Sequence, residues 1–370
     1  MNIILINKSS TYKRPPIISV LYILSRLDYK VTLITCEATE VFKKSMQEQN
    51  ISVIVIPTFQ TKWNFLKLID YYNFRRKSLS ILKELYYKDS SLLWIADVQT
   101  ILAIGNVLNN YNFILQIQEL HEDARYQLNA IGSVIHNARA VFMPEYNRTI
   151  LYQIWFNLKK RPIVLPNKPY FLPQKNEISL LKEKYNQLLK PLYDKKVILY
   201  QGGISRVRML DKLASALCYL DDEYILLLLG KEQEFDYVRK IKKIYNKVIH
   251  IPYIPAPDYL IFSTIAHIGY VCYEPTSLNN VYCAPNKINE YAAYGLPMIG
   301  NDIPGLKYLF EKSNFGIIVD VSDIECIKNG IIEIESKYGF YKSNSENFFL
   351  SIDNISTIEN SINRIKNETE

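Results

Sequence analysis

The sequence predicts an α/β protein of two Rossmann-like, doubly wound domains facing each other across a cleft. Three observations carry this. At 370 residues the chain exceeds what one hydrophobic core usually supports. Short apolar runs rich in β-branched residues alternate with helical stretches, stop, and then alternate again, as parallel sheets covered on both faces require. Between the two series lie Pro162, Pro166 and Pro169, which end regular structure and stiffen the chain. The domains are therefore placed at 1–170 and 171–370, and the last helix is expected to pack back on the first domain.

In the first half, Asn2 to Ile6 reads as a strand ending in a polar loop, and Ile17 to Leu27 as an amphipathic helix. Val31 to Thr35, Ile51 to Ile56, Leu92 to Ile95, Phe113 to Ile117, Ala140 to Met143 and Pro162 to Val164 read as further strands. No Gly-x-Gly-x-x-Gly follows the first strand, so a tightly bound dinucleotide is not expected there. From Lys62 to Leu85 aromatic residues interleave with Arg75, Arg76 and Lys77. This reads either as a helix pair packed on the sheet with a basic outer face, or as a face resting on lipid headgroups. The strand ending at Ile117 runs into Gln-Glu-Leu-His-Glu-Asp, residues 118–123. Parallel sheets keep their sites at the carboxyl edge, so His121 is a candidate general base or oxyanion partner. His136, His250 and His267 are read as structural.

The second half opens with a polar helical lead-in at 174–194. Strands follow at Val197 to Tyr200, Tyr224 to Leu229, Val248 to Ile251, His267 to Val271, Met298 to Gly300 and Ile317 to Val319. Helices are expected at Met209 to Leu220, Glu234 to Tyr245 and Asp258 to Thr264, and Asn286 opens another. In that last helix Asn286 is the expected N-cap, Gly295 takes the left-handed cap, and Pro297 forbids continuation. Lys287 stands in the first turn, where the macrodipole disfavours a cation, with Glu290 one turn on. An anion in front of the helix would resolve this; an ordinary surface pair of Lys287 and Glu290 would also. Gly202 and Gly203 follow a strand directly, and Arg206 and Arg208 precede a helix. Glycines for close approach, amides for charge and guanidinium forks for oxygens suit a diphosphate, which Arg208 and Lys287 would clamp from two sides.

Composition narrows the class. Hydrophobic residues make up 48% of the chain, ample for two cores, and no uncharged apolar segment is long enough to span a membrane. The amino terminus reads as a first strand, so a cytoplasmic location is expected. The five cysteines form no CxxC pair; four lie in apolar surroundings, so buried reduced thiols are expected, with neither disulfides nor a metal site. Residues 1–170 carry 21 Lys+Arg against 12 Asp+Glu, and the rest of the chain is slightly acidic. That excess suits an anionic membrane surface or a phosphate-bearing partner. No nucleic-acid-binding module is legible, so nucleic acid is not expected. The 29 tyrosines fit an AT-rich gene as well as any function, and no chemistry is drawn from them.

Spaced residues across 197–320 resemble a known family. Leu199-Tyr200-Gln201-Gly202-Gly203, Arg208, Gly230, His250 to Ile254, Ala266 to Tyr270, and Pro285-Asn286-Lys287-x-x-Glu290-Tyr291-x-Ala293-x-Gly295-Leu296-Pro297 look like the donor domain of GT-B glycosyltransferases. The nearest kind is the large retaining group called family 4. Leu120-His121-Glu122 is similar to the His-Glu at the acceptor-side strand end of that family. The resemblance implies a metal-independent transferase, without cofactor, moving a sugar from a nucleotide diphosphate sugar, UDP- or GDP-linked, to a hydroxyl acceptor. A glycan or lipid-linked glycan in surface polysaccharide assembly is the expected acceptor. It implies that Arg208 and Lys287 meet the diphosphate, with Gly202, Gly203, Arg206 and Asn286 around it. Glu290 would take the ribose hydroxyls, Tyr253 and Ile254 would border the base, and His121 would lie near the reacting sugar. The sequence departs from the family in two places: Tyr282 stands where a Glu is common, and Gly203 where a second basic residue is usual, which Arg206 would replace. The fold also serves nucleotide-sugar epimerases and non-catalytic partners of a transferase. Donor conversion without acceptor marks the first, and partner association without nucleotide binding marks the second.

Overall fold

Strands buried on both faces need continuous apolar runs, and the first sheet is built from such runs: Ile3 to Ile6 and Leu92 to Ala96 are all at most 1% exposed. A computed structural model describes residues 1–59 and 64–368. The chain divides into two compact units, Met1–Tyr170 with Asp353–Glu370, and Phe171–Ile352.

In the first unit β1 (Asn2–Asn7), β2 (Lys30–Thr35), β3 (Ile51–Val55), β4 (Ser91–Ala96), β5 (Phe113–Gln116), β6 (Ala140–Met143) and β7 (Ile163–Val164) form one parallel sheet. Its order is β3-β2-β1-β4-β5-β6-β7, with the direction of winding reversed between β1 and β4. The proline stretch belongs to this unit. Leu165 is buried in its core, and the Tyr170 amide donates to Ser19 Oγ at 3.1 Å. Helix Asn354–Asn367 places Ile358, Ile362 and Ile365 in the same core, one helical face of three isoleucines.

The basic aromatic stretch is one helix of 22 residues, Asn64–Leu85, and not the helix pair that was one of its two readings. No proline or glycine interrupts it, and Phe74, Ser78 and Leu82 recur at intervals of four as its buried side. Leu68, Tyr72, Arg76 and Lys77 are exposed on it, and Arg75 is half-buried. Lys62 and Trp63 lie outside the described residues.

The second unit holds β8 (Lys196–Gln201), β9 (Tyr224–Leu229), β10 (Val248–Ile251), β11 (Ile268–Val271), β12 (Met298–Asn301) and β13 (Gly316–Val319), all parallel. The order is β10-β9-β8-β11-β12-β13. The sheet separates two apolar clusters, one containing Leu213, Ile241 and Ile331 and the other Phe262, Tyr291 and Phe310. Expected helices are shorter here. They span Leu210–Leu217 and Tyr237–Ile244, and Asp258–Thr264 winds as a 3-10 helix. Left-handed Met209 (φ 55°) and Asp236 (φ 63°) set the starts of the first two.

Of the cysteines, Cys36, Cys272 and Cys283 are buried, Cys218 is exposed and Cys326 is half-buried, so three rather than four sit in the interior. Among the described residues no helix is long and apolar enough to cross a membrane, and no group of three His, Cys, Asp or Glu side chains is placed to hold a metal.

Candidate functional site

At the carboxyl edge of the second sheet, β8 and β9 end in glycines that nothing else can replace. Gly202 takes φ 128° and Gly230 φ 146°, and a Cβ on Gly230 would lie 2.0 Å from the Gly202 carbonyl oxygen. His250 closes the arrangement through its Nε2, 2.9 Å from the Gly230 oxygen. The interlocked loops form one wall of a pocket of about 460 Å³. Helix Asn286–Ala292 forms another wall, and Pro252, Tyr253 and Ile254 after β10 a third.

That helix starts one residue earlier in function than expected. Pro285 is its N-cap and Asn286 its first residue, because Pro285 already holds the extended backbone that a cap needs. At the other end the Gly295 amide (φ 66°) donates to Ala292 and the Leu296 amide to Tyr291, a Schellman closure. The helix is buried almost throughout: Lys287 is 8% and Glu290 5% exposed, so the surface-pair reading is excluded.

The pocket gathers charge without neutralising it. The Arg208 guanidinium carbon lies 4.0 Å from the ring centre of Tyr273, and Lys287 Nζ lies 5.5 Å from the same ring and 4.1 Å from that of Tyr200. Arg208 Nη1 is buried without a hydrogen-bond partner. Burial first, and then the Arg208 charge, lower the Lys287 ammonium to about 7, with Glu290 opposing both. Two cations facing one aromatic ring constitute a site for an anion. The Gly202 amide is spent on Leu229 O.

Across the pocket, Glu290 Oε1 accepts from the Tyr259 hydroxyl at 2.6 Å and Oε2 accepts from Gln201 Nε2. Burial raises its pKa, and these two hydrogen bonds and then Lys287 lower it.

Of the residues singled out in the second half, Gly202, Gly203, Arg208, Tyr253, Ile254, Asn286, Lys287 and Glu290 line this one pocket. Arg206 does not. Its side chain is 64% exposed and held by Glu234, with Nε 2.9 Å from Oε2. Gln201, Tyr259, Tyr200 and Tyr273 were not singled out, although they complete the lining. Tyr200 and Gln201 stand at a strand end, where the carboxyl-edge rule points. Tyr259 and Tyr273 come from loops and carried no signal among so many tyrosines.

His121 lies in the first unit, in the turn after β5, with a left-handed backbone (φ 63°). Burial lowers its pKa; Glu119 and Glu122 oppose this, and Arg148 adds to it. Arg148 itself is buried and 3.3 Å from Glu119. A neutral imidazole keeps one ring nitrogen free to accept a proton. Asp97, at the end of the neighbouring β4, was not singled out. It has φ 101°, and burial raises its carboxyl to about 6.

Residues 182–348 match the family model described as Glycosyl transferases group 1. No curated protein sequence matches the chain. Among solved structures, the chain is similar to HepE of Anabaena in complex with UDP and glucose, at TM-score 0.72 and 14% identity over 99% of this chain and 100% of that one. A glycosyltransferase from Rickettsia africae gives TM-score 0.72 and 14% identity over 100% and 98%. A putative UDP-N-acetylglucosamine 2-epimerase from Listeria monocytogenes gives 0.61 and 12% over 100% and 96%. The two-unit fold is thus the GT-B fold, as its two parallel sheets indicate.

Proposed function

We propose, for a chain that has the GT-B fold and matches the group 1 glycosyl transferases over residues 182–348, that it moves a sugar from a nucleotide diphosphate sugar to a hydroxyl acceptor. The observation that carries this is the meeting of Arg208 and Lys287 over Tyr273, with the Glu290 carboxylate in the same pocket. In this reading the two cations and nearby amides take up the charge that develops on the departing diphosphate, without a metal or cofactor. Glu290, acceptor-only when ionised, receives two vicinal ribose hydroxyls. Tyr253 and Ile254 border the base, and Gly202, Gly203 and Asn286 surround the phosphates. His121 serves the acceptor in the first unit. A UDP-sugar is the donor tried first, since HepE is seen with UDP and glucose; a GDP-sugar is the second.

The acceptor in this proposal is a glycan or lipid-linked glycan of surface polysaccharide assembly, reached from the cytoplasmic side. The basic first unit rests on an anionic membrane through helix Asn64–Leu85, which retention on anionic vesicles measures. Likeness to a 2-epimerase keeps one alternative in view. Conversion of UDP-sugar with no acceptor present would establish it.

The direct test is a thermal-shift panel of UDP, GDP, ADP and CMP. A ligand at a hundred times its Kd stabilises the native state by ~2.7 kcal/mol, and one diphosphate is expected to do so. Glu290→Ala and Arg208→Ala are each expected to remove that shift. No shift with any nucleotide overturns the reading.

A further inference from the structure

We propose that Gln201 and Tyr259 are the positioning residues of Glu290: they fix its carboxylate from two sides so that its free lone pairs, with Gln201 Oε1, present an acceptor-only face to a vicinal diol. This rests on the pocket being a nucleoside diphosphate site, and it assigns roles to two side chains that the proposed function leaves unused.

The geometry is a clamp built from three elements. Glu290 comes from helix Asn286–Ala292, Gln201 is the last residue of β8, and Tyr259 stands in the 3-10 helix after β10. Each carboxylate oxygen takes one donor, the Tyr259 hydroxyl on Oε1 at 2.6 Å and Gln201 Nε2 on Oε2. An ionised carboxylate offers about four acceptor positions, so roughly two remain. Both donors are uncharged. They hold the anion in place without cancelling it, whereas Lys287, on the same helix, makes no ion pair with it among the described residues.

The orientation of the Gln201 amide follows from chemistry. Its nitrogen must face the carboxylate, since two acceptors would repel, so its oxygen turns away. That oxygen is buried and has no hydrogen-bond partner, in a residue only 5% exposed that lines the pocket. A buried acceptor with no donor nearby is rare in a finished structure, and a ligand that brings donors satisfies it. The site therefore presents Gln201 Oε1 and the spare positions of Glu290 together. Hydroxyls fit this face. A nucleotide lacking them brings no donor to these buried acceptors, whereas the diol brings two, which is a strong basis for rejection.

Gln201 is itself held. Its backbone N–H donates to the Tyr291 hydroxyl at 3.0 Å, and Tyr291 packs where only a glycine, Gly269, leaves room for the ring. The clamp is thus referenced to the sheet and not to a loose loop.

The test uses the full chain with UDP, GDP and ADP, each paired with its 2′,3′-dideoxy form, by titration calorimetry. The native protein is expected to bind one ribonucleotide and to discriminate against its dideoxy form by at least ~100-fold. Tyr259→Phe and Gln201→Met are each expected to cost the ribonucleotide ~10-fold while leaving dideoxy affinity in place, so that the ratio falls toward that of Glu290→Gln. Unchanged dideoxy binding also shows that the variant pocket is folded, which a packing defect would not preserve. Loss of both nucleotides alike, or retention of the full ratio, overturns the clamp. If Glu290→Gln erases the ratio while Tyr259→Phe keeps it, the clamp fails and the ribose reading stands. If Glu290→Gln leaves the ratio intact, or no nucleotide binds, the ribose reading fails and takes the clamp with it.

Discussion

Lys287 keeps a cation 8% exposed beside a guanidinium, with two tyrosine rings and no ion pair to compensate it among the described residues. Its pKa is lowered to about 7, so at pH 8 it is mostly neutral when folded and protonated when unfolded. The unfolded state then binds more protons, and the residue's contribution to stability rises with pH between about 7 and 10. Two outcomes follow. Lys287→Met is expected to raise the melting temperature of the unliganded protein, most at or below pH 7 and least near pH 10. Nucleoside diphosphate binding restores the counter-charge, raises the pKa, and takes up about one proton at pH 8, so affinity falls up to ~10-fold per pH unit above 7. Calorimetry in two buffers of different ionisation enthalpy reads that proton directly, and an uptake of zero would refute the account. Arg206 shows how such reasoning fails at this scale. Two positions from Arg208, it is turned outward by Glu234, an acid 28 residues away whose position no local pattern announces.

Elements were legible in proportion to how sharply they are punctuated. β6, β9 and β10 begin and end where their apolar runs do, because turn residues or charges flank each run. The helix at 286–292 ended as expected, since Gly295 and Pro297 impose the stop whatever the packing. Its start moved by one because Pro285 competes with Asn286 for the cap. Helix Asn64–Leu85 is continuous, and the sequence pattern does not show this. Its polar and apolar residues follow no clean helical period, since exposed Leu68 and Tyr72 share the chain with buried Phe74 and Leu82. Those exposed residues, with Arg76 and Lys77, are what an anionic lipid surface would meet. At ~1 kcal/mol per basic side chain, Arg76→Gln with Lys77→Gln is expected to weaken retention on phosphatidylglycerol vesicles ~30-fold at low salt, with melting temperature unchanged. Equal retention of the double variant would place the membrane contact elsewhere or nowhere.

Among the described residues, the apolar cluster of the first unit shares no residue with the two clusters that flank the second unit's sheet. The alternating strands of the two units made the α/β class readable at once, whereas the division of the chain between the units is discontinuous in sequence. Residues 354–367 follow the second unit and belong to the first, where Ile358, Ile362 and Ile365 sit 0%, 0% and 4% exposed. This arrangement sets up a separation of stabilities. Removing a buried isoleucine side chain to Ala costs ~2–5 kcal/mol, so Ile358→Ala with Ile362→Ala costs ~4–10 kcal/mol, comparable with the ~5–15 kcal/mol that holds a domain folded. All of that loss falls on the first core. The double variant is therefore expected to melt in two steps by circular dichroism, the lower one new, while the upper step still rises with the nucleoside diphosphate that stabilises the native chain. Both steps moving down together, with the nucleotide shift gone, would mean that the pocket draws its order from the first unit's core rather than from β8, β9 and helix Asn286–Ala292.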